Sequence, residues 1–340
     1  MEAHGTLRDG PEARARVGAP LATALLLVAT LAGCAGPGAQ HAENVDAAQP
    51  FAVVLGTAQD GGLPQLGCRG PHCSAARENP ARRRLVSSLL LVDPRSGQRW
   101  LFDATPDLGE QVERADLAAP RAPVEGRPPL FDAVFLTHAH IGHYLGLAEL
   151  GREAYGSRSQ VVYATPRMAG FLESNGPWDR LLSEDHLRVV ELVPGERVEL
   201  ASELSVTAFT VPHRDEYSDT VGFRIEGPER SLLFVPDIDK WERYEAVTFE
   251  DLVAGVDVAL VDGTFFEDGE IPGRAMADIP HPFIVETLER FTRMPSKGRG
   301  ELWFTHLNHT NPAASPASPE AARVREAGAR VAPDGQRFPL

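Results

Sequence analysis

Three histidines constrain this chain most narrowly: Thr137-His138-Ala139-His140-Ile141-Gly142-His143 follows directly on the apolar run Ala133-Val134-Phe135-Leu136. With 11 histidines in 340 residues, this spacing would arise by chance in about 1% of chains of the same composition. Side chains two apart at an extended strand end point the same way, and a third at a helix start can turn inward. The pattern therefore reads as a cluster of imidazole metal ligands rather than as scattered surface or core histidines.

Around this motif, short β-branched or apolar runs alternate with helical stretches between Phe51 and about Pro312. Strands are predicted at 51–56, 87–92, 100–102, 133–136, 161–164, 198–200, 205–211, 220–225, 231–235, 258–261 and 302–305, and helices at 106–115, 141–150, 166–174, 282–291 and 319–327. Several strands follow one another through short turns, as antiparallel meanders do. A two-layer β core with helices outside fits that order better than a doubly wound sheet, in which a helix would follow nearly every strand.

The amino terminus is set aside from the fold. Arg14 and Arg16 precede the apolar stretch Leu21–Leu31, which is short for a membrane span and runs into Ala32-Gly33-Cys34. Leu31-Ala32-Gly33-Cys34 resembles a lipoprotein signal box. That resemblance implies removal of residues 1–33, lipidation of Cys34, a flexible linker over 34–50, and a folded domain at 51–340 tethered to the bacterial cell envelope, on the periplasmic face. An ordinary secretory signal or a single anchor helix are the alternatives. The charge balance, 33 basic against 48 acidic side chains, or −15, argues against nucleic acid as a partner and leaves a small-molecule substrate as the expectation.

Two further cysteines stand in Gly67-Cys68-Arg69-Gly70-Pro71-His72-Cys73. In an exported protein they could pair as a disulfide, or with His72 could form a tight metal knuckle; the stretch alone leaves both open. The glycine-rich loop Gly56-Thr57-Ala58-Gln59-Asp60-Gly61-Gly62 lacks the Gly-Lys-Ser/Thr ending of a phosphate-binding loop.

A strand followed by His-x-His-x-x-His resembles the metallo-β-lactamase superfamily, which implies an α+β fold: a four-layered αββα sandwich in a single domain. The resemblance carries over residue by residue. His138, His140 and His143 match the first motif, His213 in Thr210-Val211-Pro212-His213 the next ligand, Asp237 in Leu233-Phe234-Val235-Pro236-Asp237 the bridging carboxylate, and His306 in Trp303-Phe304-Thr305-His306 the last histidine. One position departs: where the superfamily normally has Asp before the third histidine, this chain has Gly142. Either one ion is held by His138, His140, His213 and Asp237 with a weak or empty second site between His143 and His306, or a carboxylate comes from elsewhere. In this superfamily the first glycine-rich loop approaches the metals, so Asp60 is the candidate, as ligand or general base.

A further resemblance covers nearly all of residues 51–340 and is to the coenzyme pyrroloquinoline-quinone synthesis protein B family. It rests on Leu55–Gln65, Phe102-Asp103-Ala104-Thr105-Pro106-Asp107, Val261-Asp262-Gly263-Thr264-Phe265, His306-Leu307-Asn308-His309-Thr310-Asn311-Pro312 and the ending from Ser318. That family is similar to the phosphonate-pathway cyclic phosphodiesterases, which keep a structural zinc. The match implies such a zinc on Cys68, Cys73 and His309, with His72 as fourth ligand. Members of the synthesis family tend to have a degraded first histidine pair, whereas His138 and His140 are intact here.

The function expected is a metal-dependent hydrolase acting on an ester, phosphodiester or lactam-like substrate, with one or two zinc ions in the site and Asp60, Asp237 and His281, the last in Ile279-Pro280-His281, as candidate catalytic residues. Histidine and carboxylate ligands also suit non-haem iron, so an iron-dependent oxygenase related to that biosynthesis is the alternative, and a non-catalytic metal-binding lipoprotein the third reading.

Overall fold

Strands that are buried on both faces carry apolar side chains at every position, and they build the centre of this molecule. The computed structural model describes residues 49–276 and 279–340. The expected signal segment, Cys34 and nearly all of the linker lie outside the described residues. Among the described residues no helix is long and apolar enough to cross a membrane.

Two seven-stranded sheets face each other. The first contains β1 (Phe51–Gly56), β2 (Ser88–Asp93), β3 (Gln98–Phe102), β4 (Ala133–Phe135), β5 (Gln160–Ala164), β6 (Leu187–Glu191) and β14 (Arg337–Pro339), in the order β14-β1-β2-β3-β4-β5-β6. The second contains β7 (Arg197–Ala201), β8 (Leu204–Val211), β9 (Thr220–Glu226), β10 (Ser231–Val235), β11 (Val258–Asp262), β12 (Glu301–Thr305) and β13 (Arg330–Val331), in the order β13-β12-β11-β10-β9-β8-β7. Each sheet is mixed: β3, β4, β5 and β6 run parallel, as do β10, β11, β12 and β13, and the remaining pairs are antiparallel.

The period of two along each strand assigns alternate residues to different layers. Ala52 and Val54 of β1, Phe102 of β3 and Phe135 of β4 face Phe223 of β9 and Leu232 and Phe234 of β10 between the sheets. Phe51, Val53 and Leu55 point the other way, toward α2 (Leu108–Ala118), α4 (Pro166–Ser174) and α5 (Trp178–Ser183). Leu233 and Val235 likewise turn outward, onto α6 (Phe249–Ala254), α7 (Ile284–Arg293) and α8 (Pro319–Glu326). Three apolar layers between four layers of secondary structure make the αββα sandwich expected from the histidine motif.

Several elements differ from expectation. The stretch 141–150 is a short helix, α3 (Ile141–Tyr144), followed by a tighter turn over Leu145–Leu150, because Gly146 packs against the Thr105 carbonyl and no regular helix continues there. Helix α1 (Pro71–Glu78), helices α5 and α6, and strands β6, β13 and β14 were not anticipated. The tail belongs to the domain: β14 pairs with β1, and Leu340 is fully buried. Arg84 fastens the tail from the other side, donating to Thr57 Oγ1 (2.7 Å), Ala314 O (2.7 Å) and Ala332 O (3.0 Å).

Candidate metal centre

Parallel pairing brings the carboxyl ends of β10, β11 and β12 to one edge, with Val235 level with Val261 and Asp262 level with Thr305. The antiparallel pairing of β8 with β9, Val211 opposite Thr220, brings the end of β8 to the same edge. Asp262 ends β11 and loops that leave this edge carry Asp237, His306 and His213, while the segments after β1, β3 and β4 supply Asp60, Asp103 and the histidine triplet from the facing sheet. Rigid strands thus hold loop side chains in place, the usual construction of a functional site.

Of the ten expected metal ligands, the structure gathers nine into three groups. The first is His138, His140, His213 and Asp237. His138 Nε2 lies 2.8 Å from His140 Nδ1, His213 Nε2 lies 3.3 Å from His140 Nδ1, and Asp237 Oδ2 lies 3.4 Å from His138 Nε2 and 3.2 Å from His213 Nε2. Four donors about 2.0–2.1 Å from one tetrahedral ion would be roughly 3.3 Å apart, so these separations suit a single metal. The second group is His143, His306 and Asp60, and the third is Cys68, Cys73 and His309.

Orphaned polar atoms supply an independent test of fit. Among the described residues six buried side-chain nitrogens and oxygens have no hydrogen-bond partner, and four of them, Asp60 Oδ1, His143 Nε2, Asp237 Oδ1 and His306 Nε2, are concentrated here. Leaving a buried polar atom unpaired costs about 1–3 kcal/mol each, so such a concentration calls for a ligand that satisfies them together. Buried imidazole nitrogens and carboxylate oxygens converging on one point have the donor chemistry of a divalent cation site.

A surrounding layer of hydrogen bonds orients these rings, and the sequence reading had not assigned it. His143 Nδ1 pairs with Asp103 Oδ2 (2.7 Å), His138 Nδ1 with Thr137 Oγ1 (2.9 Å), His306 Nδ1 with Thr264 Oγ1 (2.9 Å) and His213 Nδ1 with Asp239 Oδ1 (3.2 Å). In each case the partner engages Nδ1 and leaves Nε2 free to face the centre. The outer nitrogen of His140, its Nε2, meets Glu216 instead (3.0 Å). Asp103 and His306 adopt left-handed backbone conformations, φ 65° and 60°, a strain that the surrounding contacts sustain at both ends of this network. Asp103 and Thr264 stand in Phe102–Asp107 and Val261–Phe265, two of the stretches on which the resemblance rested, so the signal was present.

The charges are interdependent. Burial works against ionising Asp237, but His213, His281 and His306 outweigh it and hold the carboxyl well below its ordinary range. Asp60 is likewise depressed, burial being overcome by His143 and His306. Burial lowers His143, yet Asp103 and Asp60 push it well above the usual imidazole value. His281 is buried, and burial opposes its charge, but Asp262 and Asp237 raise it to about 10. Its Nδ1 lies 2.8 Å from Asp262 Oδ2 and 3.2 Å from Asp237 Oδ1, so the structure places this expected catalytic residue beside the first donor group, with Asp262 as an unanticipated partner.

One expected ligand of the third group, His72, is not gathered with the other three. Cys68 and Cys73 are unbridged, and the structure groups them with His309 but not with His72.

A family description, "Beta-lactamase superfamily domain", matches residues 98–307. The chain is thus a member of the metallo-β-lactamase superfamily, in agreement with its sandwich and histidine-rich edge. It is 31% identical over 311 residues to coenzyme PQQ synthesis protein B of Methylorubrum populi, covering 85% of this chain and 99% of that protein, and 30% identical over 319 residues to the protein of that name from Cupriavidus necator, covering 84% and 98%. The crystal structure of Zn(2+)-bound PqqB from Methylobacterium extorquens superposes with a TM-score of 0.72 at 28% identity, over 85% of this chain and all of that one. Within the superfamily, the chain belongs to the coenzyme PQQ synthesis protein B family. A diphosphatase of the PhnP family shares the fold, with a TM-score of 0.60 at 21% identity over 86% of this chain and 97% of its own.

Proposed function

We propose that this protein is a metal-dependent hydrolase of ester, phosphodiester or lactam-like bonds, with zinc as its ion. One observation carries the reading: the donors of His138, His140, His213 and Asp237 stand at a tetrahedral spacing, beside buried unbonded atoms of Asp60, His143 and His306 and a carboxylate-paired histidine. His138, His140, His213 and Asp237 would hold the ion, which when bound polarises a substrate oxygen and brings a water's pKa towards about 7. Asp237 also touches His281 and so aligns the two parts of the site. Asp262 fixes the His281 ring through Nδ1, leaving the opposite nitrogen to deliver a proton to the leaving oxygen of an ester or phosphodiester or the leaving nitrogen of a lactam. The zinc named in a related crystal structure supports the choice of metal.

A screen of phosphodiesters, lactones and lactams with the purified protein tests this. Turnover that disappears in His138→Ala and falls by about 10²–10⁴ in kcat in His281→Asn is the expected outcome. Turnover indifferent to His138→Ala and to chelation would remove the hydrolase reading. A second reading is favoured by the relatives' name: an iron-dependent oxygenase in a cofactor-forming pathway, for which His138-dependent iron rather than zinc would be recovered from anaerobically purified protein.

The same proposal includes anchorage in the cell envelope. Arg14, Arg16, the apolar run and Leu31-Ala32-Gly33-Cys34 support it. Incorporation of labelled palmitate that Cys34→Ser abolishes is expected; unaltered labelling in that variant would count against it.

A further inference from the structure

Gly142 is the sixth residue of Thr137–His143 and lies inside α3, where glycine costs about 1 kcal/mol relative to alanine. Its backbone is not in the left-handed region, so conformation does not require glycine there. Space does. A Cβ at 142 would lie 2.1 Å from Asp60 Oδ1 and 2.8 Å from both Asp60 Cα and Cγ, a collision with backbone as well as side chain that no rotamer change relieves.

Asp60 is held at that spot by its own loop. Gln59 N donates to Leu307 O (2.9 Å), Leu307 N donates to Thr57 O (2.8 Å), and Gly62 N closes the turn onto Gln59 O (2.8 Å). The glycine-rich loop is therefore stitched to the residue that follows His306. From there Asp60 Oδ1 reaches within 3.4 Å of His143 Nε2 and 3.7 Å of His306 Nε2. Asp237 Oδ2 lies 3.8 Å from each of the same two nitrogens. All three Asp60-group atoms are buried and none makes a hydrogen bond. Asp237 Oδ2 is at the same time a member of the His138 group, so the two donor sets share one oxygen.

We propose that Asp60, His143 and His306 bind a second divalent cation, bridged by Asp237 to the first, and that Gly142 is kept bare so that the carboxylate of residue 60 can enter from the opposite side. Asp60 and Gly142 form one device. The carboxylate comes from the first loop, 82 positions earlier in the chain than the glycine that makes room for it. Asp60 is thereby a ligand, and the role of general base passes to other groups. This inference rests on the metal-centre reading proposed above.

The test uses the full chain, stripped with chelator and titrated with zinc or cobalt against a competing chromophoric chelator, with ions counted per chain. In the parent, three ions are expected, one dependent on His138, one on Cys73 and one on Asp60. Asp60→Asn preserves shape and removes the charge. It should weaken one ion by at least about tenfold, leaving the other two at parent affinity and altering the cobalt absorption of the site. Gly142→Ala, with Asp60 intact, should weaken the same ion. Should that variant fail to fold, Asp60→Asn decides alone. Parent-like counts and affinities in Asp60→Asn would overturn the assignment while leaving the His138 ion, and the functional reading, in place. Absence of any His138-dependent ion would overturn both.

Discussion

Asp103→Asn tests whether the layer behind the ligands controls metal binding. Asp103 is fully buried: Oδ1 accepts from Thr137 N (2.8 Å), both oxygens lie 3.0 Å from Thr137 Oγ1, and Oδ2 meets His143 Nδ1 (2.7 Å). A carboxylate only accepts, so it requires the proton of neutral His143 on Nδ1 and leaves the Nε2 lone pair for a metal. In the asparagine variant the fixed backbone donor of Thr137 claims the amide oxygen. The NH2 group then faces Nδ1, and a donor there favours the other tautomer, with the proton on Nε2. Loss of such an orienting partner costs about 10- to 100-fold in metal affinity, or about 1.4–2.8 kcal/mol. The ion on His143 should show this loss in a chelator competition, whereas the His138 ion, whose ring is fixed through Thr137 Oγ1, should change much less. Parent-like affinity for both ions, or prior loss of the His138 ion, would refute the tautomer reasoning.

Three other outcomes are expected. Cys73→Ala should lose one bound ion and, with zinc a thousandfold above its Kd, about 4 kcal/mol of stability that chelator also removes from the parent; a variant and parent with the same chelator response would contradict a structural zinc. Arg84→Met strands three acceptors, the Thr57 hydroxyl and the Ala314 and Ala332 carbonyls, and at about 1 kcal/mol or more each should lower the urea unfolding free energy by about 3 kcal/mol. An unchanged midpoint would show that the tail is held by other contacts. Burial raises Glu270 from 4.5 to about 7, so the folded state favours its protonated form. That contribution is complete below 4.5 and is lost as pH rises through about 7; Glu270→Gln should flatten this part of the stability profile, and an identical slope in both proteins would reject it.

Legibility in the sequence followed burial. Strands such as Ser231–Val235 and Val258–Asp262 pack on both faces, and their unbroken apolar runs announce them. Leu187–Glu191 was missed because it is an edge strand with only Leu187 buried, and Arg330–Val331 because two residues carry no period. Helix α1 buries only Cys73 and Ala76, too little for an apolar stripe to mark it.

The metal site shows a different limit. His138, His140 and His143 are local and therefore visible, whereas Asp103 and Asp262 act through rings contributed by other segments and become visible only when the strands are aligned. Gly142 is the sharper case. Read along the chain it marks a missing ligand; read in space it marks where another ligand enters, because the atom it lacks would lie 2.1 Å from Asp60 Oδ1. A side chain added at 142 is therefore read through its effect on Asp60. Their coupling predicts that relatives of this protein with a side chain at the Gly142 position have no carboxylate positioned as Asp60 is, since one cavity cannot hold both.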